Sequence, residues 1–388
     1  MLSRLRVSIP PTAFNGAFFC AQARNLVGDE IIGSMEIDGG GNFTAIGYSP
    51  WVDPQGATLP AFGNIDPLIF PAGTDPAPAV LYNRSMPELP EVETIARGVH
   101  KRVRGDRIVQ AWFGAHREPF KTPPARQAAG LEGRVFLGVH RTGKHIVCNL
   151  GDCELGPSLR PASQPSAGSK TSEARAQPPS NSEAGPEAQW IVHLGMTGRL
   201  LVTVPDSPLA AHTHARLLLA SGQELRFVDP RRFGRLEFRD LRRSAAFSGT
   251  GTEPLTIGAE EFASLFRGRQ LSIKAALLNQ TLLAGVGNIY ADESLFHAGI
   301  RPSRRAGRLT RAELERLRLE LREVLEHAIR LGGSSVSDYV DADGVRGFFQ
   351  LEHCVYLRTG LPCLRCQTPI RRILLAGRGT HYCPQCQR

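Results

Sequence analysis

Apolar and polar residues alternate along several stretches in the middle of the chain. The alternating stretches are residues 107–116, 134–150, 189–204 and 215–238. A period of two is typical of strands with one buried face, and Gly, Pro or charged residues separate the stretches. The last stretch reads as a hairpin with its turn at Ser221-Gly222, and a helix over about 90–104 precedes the first. This pattern predicts an antiparallel β-sandwich with one helix at its start.

After residue 252 apolar residues recur at steps of three and four, which indicates amphipathic helices. The helical stretches are residues 260–268, 272–284, 288–299 and 311–333. Thr310 and Glu313 match a capping box at the start of the longest helix, and Gly332-Gly333 ends it. A polar loop over 334–352 and a cysteine-rich terminus follow. The pattern therefore predicts an α+β multidomain protein whose β-sandwich lobe precedes a helical lobe.

Two segments show neither period. Residues 1–85 contain Pro every few residues in their second half, and residues 155–188 are rich in Ser, Pro, Ala and Gly. Such composition does not support long helices or a buried core. We expect the second segment to be a disordered loop inserted between two strands. We expect the first to be disordered, or to result from a start codon assigned upstream of Met86.

The charge of the chain is unevenly distributed. The 388 residues carry a net charge of +9, yet residues 1–85 contain 4 Arg, no Lys and 7 acidic residues. This leaves 42 basic against 30 acidic residues downstream. A basic surplus suits a polyanionic partner, because phosphate neutralisation releases counterions. No run approaches the ~18 apolar residues of a membrane span, and the N-terminus is a poor signal peptide, so we expect no membrane association and a cytoplasmic location.

Four of the eight cysteines form two close pairs near the C-terminus. They are Cys363, Cys366, Cys383 and Cys386, in the spacing C-x2-C-x16-C-x2-C. Two such pairs predict a closed tetrahedral site for one structural Zn²⁺, with the intervening residues forming a hairpin. Disulfide or redox use is the alternative, which a reducing cytoplasm disfavours.

A short motif beginning at Met86 reads MPELPEVETIARGV. If the chain began at Met86 and lost that residue, Pro87 would carry a free secondary amine. Such an amine can attack an electrophilic carbon and form an iminium, which is a strong electron sink. Glu88 beside it is suited to general acid–base work. The alternative interpretation is a proline-rich turn before a helix, with acidic residues at the positive end of the helix dipole.

The motif does not stand alone. MPELPEVET, HLGMTGRL (193–200), DPRRFG (229–234), GVGNIYADESLFHAGIRP (285–302) and the paired cysteines occur in one order. Together they resemble the formamidopyrimidine-DNA glycosylase family of base-excision repair, over nearly all of residues 86–388. The resemblance implies a catalytic β-sandwich domain over 86–248, a helix-two-turns-helix DNA-binding domain over 252–350 and a zinc finger over 354–388. It does not cover residues 1–85.

The resemblance also implies roles for individual residues. Pro87, Glu88, Lys144 and Arg378 would be catalytic, the last two by contacting phosphate near the damaged nucleotide. Asn288 would bind backbone phosphate. Met196, Arg231 and Phe233 would fill the gap left in the duplex by the extruded base, although Met and Phe are more often core residues. A role for Lys274 stays open.

The implied activity is excision of oxidised purines, such as 8-oxoguanine and formamidopyrimidines, from damaged double-stranded DNA, followed by β,δ-elimination. The implied protein is a monomer that acts as glycosylase and AP lyase. PELPE, rather than the PEGPE typical of the endonuclease VIII branch, favours purines over pyrimidines. If Pro87 stays inside the chain, the alternative is a non-catalytic protein that binds lesions in DNA.

Overall fold

The structure, a computed structural model, describes residues 86–388 except 117, 153–184 and 336–338, together with four strands nearer the N-terminus. These strands are β1 (Arg6–Ser8), β2 (Phe19–Arg24), β3 (Ile31–Ile37) and β4 (Phe43–Ile46). They form one antiparallel sheet in chain order, within a compact unit of their own. The sequence pattern does not predict this sheet, because its strands are too short to show a sustained period. The disorder expected for the rest of 1–85 and for the inserted loop falls outside the described residues.

The second compact unit begins with helix α1 (Leu89–Val103) and two four-stranded antiparallel sheets. Their strands are β5 (Ile108–Phe113), β6 (Val135–Thr142), β7 (His145–Gly151), β8 (Ala188–His193), β9 (Arg199–Thr203), β10 (Thr213–Leu219), β11 (Glu224–Val228) and β12 (Arg235–Asp240). One sheet has the order β5-β10-β11-β9 and the other β12-β8-β7-β6. Val92 and Ile95 of α1 share one hydrophobic core with Trp190 and Phe227 from the two sheets. The predicted sandwich and its helix are therefore present.

Two of the predicted strands are each divided by a turn. Residues 134–150 form the hairpin β6–β7, and residues 189–204 form β8 and β9, which lie in different sheets. Gly143 and Gly195 adopt positive φ at the two turns, a conformation that glycine adopts readily. A helix that the sequence did not predict, α2 (Pro124–Leu131), lies between β5 and β6. The divisions matter because both turns carry residues of the predicted site.

The helical lobe has its own core. Its helices are α3 (Ala259–Phe266), α4 (Ile273–Leu277), α5 (Asn288–His297) and α6 (Arg311–Arg330), with single 3-10 turns at Ala306–Arg308 and Phe349–Glu352. Thr310 caps α6 as predicted, since its hydroxyl accepts from the backbone N–H of Glu313 and the Glu313 carboxylate accepts from the N–H of Thr310. Tyr290 and Leu317 lie in the buried core that joins α5 to α6.

The C-terminus forms the predicted hairpin, with strands β13 (Arg371–Leu375) and β14 (Arg378–Tyr382). Its cysteines pack with Phe296 and Val355, so the hairpin rests on the end of α5. The α+β multidomain architecture predicted from the sequence is thus confirmed for the described residues of 86–388. Within those residues, no helix has the length and apolar character needed to cross a membrane.

Candidate active site and DNA-binding surface

Helix α1 begins against the turn that precedes α5. The N–H of Leu89 donates to the carbonyl of Gly285 at 3.0 Å, which fixes the start of α1 on this turn. The buried Glu88 carboxylate then reaches the N-terminus of α5, where the N–H groups of Ile289 and Tyr290 donate to it at 3.2 and 3.5 Å. A Cβ at Gly287 would lie 2.1 Å from the Glu88 carboxyl carbon, so this approach requires glycine. The turn Gly285-Val286-Gly287 therefore leaves room for the Glu88 carboxylate at the N-terminus of α5.

Burial dominates the electrostatics of Glu88. It raises the pKa of Glu88 to about 7, and the charge of Lys144 and the two long backbone hydrogen bonds only partly oppose the shift. Folding therefore favours the protonated carboxyl of Glu88. The stability that this group contributes is fully present below the ordinary carboxyl pKa and is lost as the pH rises through about 7. A carboxyl with this pKa can hold or release a proton near neutral pH, which is what a general acid–base group requires.

Glu91, one turn along α1, has a different environment. Its carboxylate accepts from the N–H of Glu88 at 2.8 Å, the N–H of Ser334 at 2.7 Å and the hydroxyl of Tyr290 at 2.5 Å. The Tyr339 hydroxyl donates to the carbonyl of Glu91 at 3.2 Å. Glu91 therefore orients the start of α1 and anchors both sides of the loop after α6.

Lys144 lies in the turn of the β6–β7 hairpin, immediately after Gly143. Strand β6 ends at Thr142 and β7 begins at His145, so Lys144 stands at a strand end. Burial lowers the pKa of Lys144, while the charges of Glu88 and Glu91 oppose this and that of Arg378 adds to it. Lys144 is therefore within electrostatic reach of Glu88, which precedes α1, and of Arg378 on the hairpin.

Lys274, whose role stayed open, is fully buried in the helical lobe. Its Nζ lies 2.6 Å from Oδ1 of Asp292 and donates to the carbonyl of Gly379 at 3.1 Å. The other oxygen of Asp292 accepts from the N–H of His381 at 2.8 Å. Lys274 and Asp292 together hold β14 against α5. Lys274 is thus placed to position the hairpin and is not exposed to a ligand.

The buried pair Lys274–Asp292 also fixes the position of two residues that are predicted to bind phosphate. Asn288 begins α5, and its side-chain amide donates to the carbonyl of Gly379 at 3.1 Å. Arg378 precedes Gly379 at the start of β14 and is exposed. The structure therefore brings Asn288 and Arg378 to one place, at the N-terminus of α5. Helix N-termini favour anions through their dipole and N–H groups, of which those of Ile289 and Tyr290 already donate to Glu88.

The three residues predicted to fill the duplex lie on two turns that are bonded together. Asp229 accepts from the Thr197 hydroxyl at 2.5 Å and from the N–H of Gly234 at 2.7 Å, which joins the turn after β8 to the turn after β11. The first turn carries Met196, which is half-buried. On the second, Phe233 is 46% exposed and the Arg231 guanidinium lies 4.6 Å from its ring centre. Such exposure suits an insertion role more than a core role.

The four cysteines predicted to bind zinc meet in one cluster. The Sγ atoms of Cys366 and Cys383 lie 3.4 Å apart, those of Cys363 and Cys386 lie 3.9 Å apart, and all four are within 4.8 Å of one another. Four thiolates at about 2.3 Å from a metal, in tetrahedral geometry, are about 3.8 Å apart. The residues thus fit one structural Zn²⁺, which would hold the hairpin and hence Arg378.

Several residues of the site escaped the sequence analysis. Tyr290 and Asp292 act through partners that are distant in the chain, and Asp229 joins its own turn to Thr197, which is 32 residues away. Tyr290 and Asp292 are buried on α5 and therefore need internal partners, but this burial is known only from the structure. His193 gave no signal; it stacks on His145 at 4.8 Å beside Lys144, and burial lowers its pKa to about 4.

The two lobes bring a titratable carboxyl, a helix N-terminus and several basic side chains to one place. This combination is typical of a polyanion-binding protein with an acid–base centre. Comparison with known proteins specifies the family. Residues 86–236 match the N-terminal domain of formamidopyrimidine-DNA glycosylase, 251–340 its H2TH domain, and 360–388 a zinc finger found in FPG and IleRS. No part of residues 1–85 lies in these matches.

Curated relatives cover the same share of the chain. Formamidopyrimidine-DNA glycosylases of Solibacter usitatus and Thermus thermophilus are each 42% identical, over 305 and 310 residues, covering 78% of this chain and 100% and 98% of theirs. A solved Lactococcus lactis FPG variant with Fapy-dG DNA is 31% identical, with a TM-score of 0.63, covering 78% of this chain and 100% of its own. The chain therefore belongs to the formamidopyrimidine-DNA glycosylase family.

Proposed function

We propose that the chain, when its N-terminus is Pro87, is a bifunctional DNA glycosylase and AP lyase of base-excision repair. Its substrate is double-stranded DNA carrying oxidised purines, such as 8-oxoguanine and formamidopyrimidines. The observation that carries the proposal is the buried Glu88 carboxyl, next to Pro87, with its pKa raised to about 7. Family membership supports it, as do solved relatives bound to Fapy-dG and carbocyclic 8-oxo-G DNA.

The chemistry follows from a secondary amine. The nitrogen of Pro87 attacks C1′ of the damaged nucleotide, and the glycosidic bond breaks with its electron pair leaving on the base. Opening of the sugar ring gives an iminium, with Glu88 supplying and removing protons at the sugar. The iminium acidifies the adjacent C–H, so loss of that proton expels the 3′ phosphate and a second elimination expels the 5′ phosphate. Water then hydrolyses the iminium and regenerates the amine.

The remaining residues bind and position the DNA. Lys144, Asn288 and Arg378 provide donors or positive charge for phosphates around the extruded nucleotide. Met196, Arg231 and Phe233 occupy the space left in the duplex, which offsets part of the few kcal/mol that unstacking costs. A single chain contains every residue named, in keeping with action as a monomer. Free zinc-binding thiols suit a reducing cytoplasm.

The N-terminus decides between two functions. In the 388-residue chain the nitrogen of Pro87 is an amide, which is not nucleophilic. Every DNA-binding residue is present in both forms, so the long form fits the alternative function of a non-catalytic protein that binds lesions. Removal of residues 1–86, or initiation at Met86 followed by loss of the Met, would generate the enzyme.

Borohydride trapping on a duplex containing 8-oxoguanine separates these functions. Three proteins are compared: the 388-residue chain, a chain started at Met86, and the latter with one Ala inserted before Pro87. Reduction of the iminium should link the Met86-started chain covalently to DNA, with little or no product from the other two. The inserted Ala provides the matched control, because it blocks the Pro87 amine and leaves the DNA-binding residues in place.

Each outcome is informative. Equal trapping by all three proteins would show that another amine reacts, which contradicts the role of Pro87. Binding of the lesion duplex without trapping by any of them would overturn the enzyme and leave the lesion-binding protein. Trapping on an oxidised pyrimidine but not on 8-oxoguanine would overturn the substrate class and support the endonuclease VIII type.

A further inference from the structure

Helix α5 carries a second group of metal-binding side chains at its C-terminal end. Glu293 and His297 lie one turn apart on this helix, and Cys354 comes from the segment that leads into the cysteine hairpin. One ligand atom from each lies within 4.8 Å of the others, and Sγ of Cys354 is 3.7 Å from Nε2 of His297. None of the three belongs to the site proposed above or to the four-cysteine cluster.

The separation of sulfur and nitrogen matches a shared metal. A zinc ion at about 2.3 Å from sulfur and about 2.0 Å from nitrogen, in tetrahedral geometry, places the two atoms about 3.6 Å apart. The cysteine pairs of the structural zinc cluster show a similar spacing, at 3.4 and 3.9 Å. The distance between Sγ of Cys354 and Nε2 of His297 thus already matches that of two ligands of one zinc ion.

Glu293 is held rigidly for this role. Its carboxylate accepts the N–H groups of Cys354 at 2.8 Å, Val355 at 3.0 Å and Tyr356 at 2.7 Å. Two carboxylate oxygens offer about four acceptor positions, so these three bonds leave one for a metal. The Cys354 bond uses the oxygen that accepts only once. The same bonds that order the segment therefore bring Cys354 beside the remaining acceptor position.

The outer partners of His297 are also suitable. A metal on Nε2 requires the proton on Nδ1, and the Glu320 carboxylate, 3.9 Å from Nδ1, would accept this N–H after a small side-chain movement. Arg365 now donates to Nδ1 at 3.3 Å and must release it. It can do so in place, since it also bonds the carbonyl of Phe296 and stacks 4.5 Å from its ring centre.

We infer that Glu293, His297 and Cys354 bind a second zinc ion, with a fourth position open to water. The thiol, imidazole and carboxylate set suits zinc better than magnesium or calcium, which prefer oxygen ligands. On binding, the Cys354 S–H bond breaks, its proton goes to solvent, and a metal–sulfur bond forms. Half-buried His297 and Cys354 leave the site accessible. The ion would join the end of α5 to the segment entering the hairpin.

Metal content and Co²⁺ spectroscopy of the full chain test this. After zinc saturation and gel filtration, the native chain should retain about two zinc ions, and Cys354→Ser and His297→Ala about one each. Co²⁺ added to protein with a filled four-cysteine site should give a sulfur-to-metal charge-transfer band that both variants lose. Cys148→Ala, which removes a buried thiol from the sandwich core, is the matched control and should keep the band.

The result that overturns the inference is one zinc ion in the native chain, with Co²⁺ giving the same spectrum in the native chain and both variants. Thermal melting of each protein guards against a folding defect, since Cys354 and His297 are partly exposed and their substitution should leave the metal-free melting temperature nearly unchanged. A variant that unfolds would be replaced by His297→Gln, which keeps the polar contact and removes the imidazole.

Discussion

Two lysines, one fully buried and one half-buried, lie near carboxylates and have different roles in this molecule. Lys274 lies 2.6 Å from Asp292, donates to Gly379 and is fully buried. Lys144 interacts with Glu88 through charge, and the part of the chain that the structure describes gives it no ion pair. Burial lowers the pKa of both lysines. The two regions therefore differ in how completely their charges are paired.

The difference separates positioning from reaction. Lys274, which pairs with Asp292 and donates to Gly379, joins two segments, and its full burial keeps it away from a ligand. The backbone N–H groups that donate to Glu88 are at long distances, and Lys144 forms no ion pair within the described residues. The buried Glu88 carboxyl has a pKa of about 7. A buried group that is incompletely paired and has a pKa near neutral pH lowers the stability of the fold. Such a group is available for proton transfer or phosphate binding. Replacing members of each pair should therefore affect different measurements.

The largest effect is expected from Glu88→Gln in the chain started at Met86. Gln cannot exchange a proton, so excision of 8-oxoguanine should slow by about 10²–10⁴-fold, which is the usual contribution of general acid–base catalysis. The amide can still accept from the N-terminus of α5, so folding and lesion binding should persist. Single-turnover rates measure the first effect, and duplex binding measures the second.

Glu315→Gln is the matched control for this substitution. Glu315 lies on α6 and pairs with Arg318 at the surface, so its loss should leave the excision rate within a factor of about two. An excision rate in Glu88→Gln close to that of the control would remove Glu88 from the mechanism.

Lys274→Met should act on stability. It leaves Asp292 buried without its partner, and breaking a buried ion pair in this way costs about 3–5 kcal/mol. Because Lys274 and Asp292 hold β14 against α5, we expect the hairpin to loosen and lesion binding to weaken. Denaturant unfolding monitored by circular dichroism measures the change in the free energy of unfolding.

Lys121→Met provides the comparison, since Lys121 is exposed on the sandwich lobe. It should change the free energy of unfolding by less than about 0.5 kcal/mol. Equal stability of the two variants would show that the Lys274–Asp292 pair does not hold the hairpin.

Local patterns predicted most of the fold because the elements are locally encoded. Thr310 and Glu313 mark the start of α6, and the cysteine spacing marks the hairpin. The division of residues 134–150 was missed, since alternation continues through a hairpin turn and a single Gly143 gives little warning. The short strands β1 to β4 were missed because three to seven residues are too few to establish a period.

The sequence allowed a site to be proposed where a residue and its neighbours form one motif, as at Pro87 and Glu88, and their roles stay predictions. The site was not predictable where function depends on partners far apart in the chain. The contact between Glu88 and Ile289 spans 201 residues, and that between Lys274 and Gly379 spans 105. Only the folded chain shows that Gly287 leaves room for the Glu88 carboxylate. The same holds for Lys274, which positions the hairpin.

The smallest expected effect, and the sharpest test of the comparison, is the response of the Glu88 pKa to Lys144→Met. The Lys144 charge lowers the pKa of Glu88, so its removal should raise this pKa above about 7 and move the titration to higher pH. Carboxyl ¹³C NMR of Glu-labelled protein follows the titration directly. Lys274→Met should move it less, because Asp292 already compensates that charge. A Glu88 titration that is unchanged in Lys144→Met, or that moves to lower pH, would show that the two residues are not coupled. Lys144 would then be only a phosphate ligand, and the acid–base centre would consist of Glu88 and the N-terminus of α5.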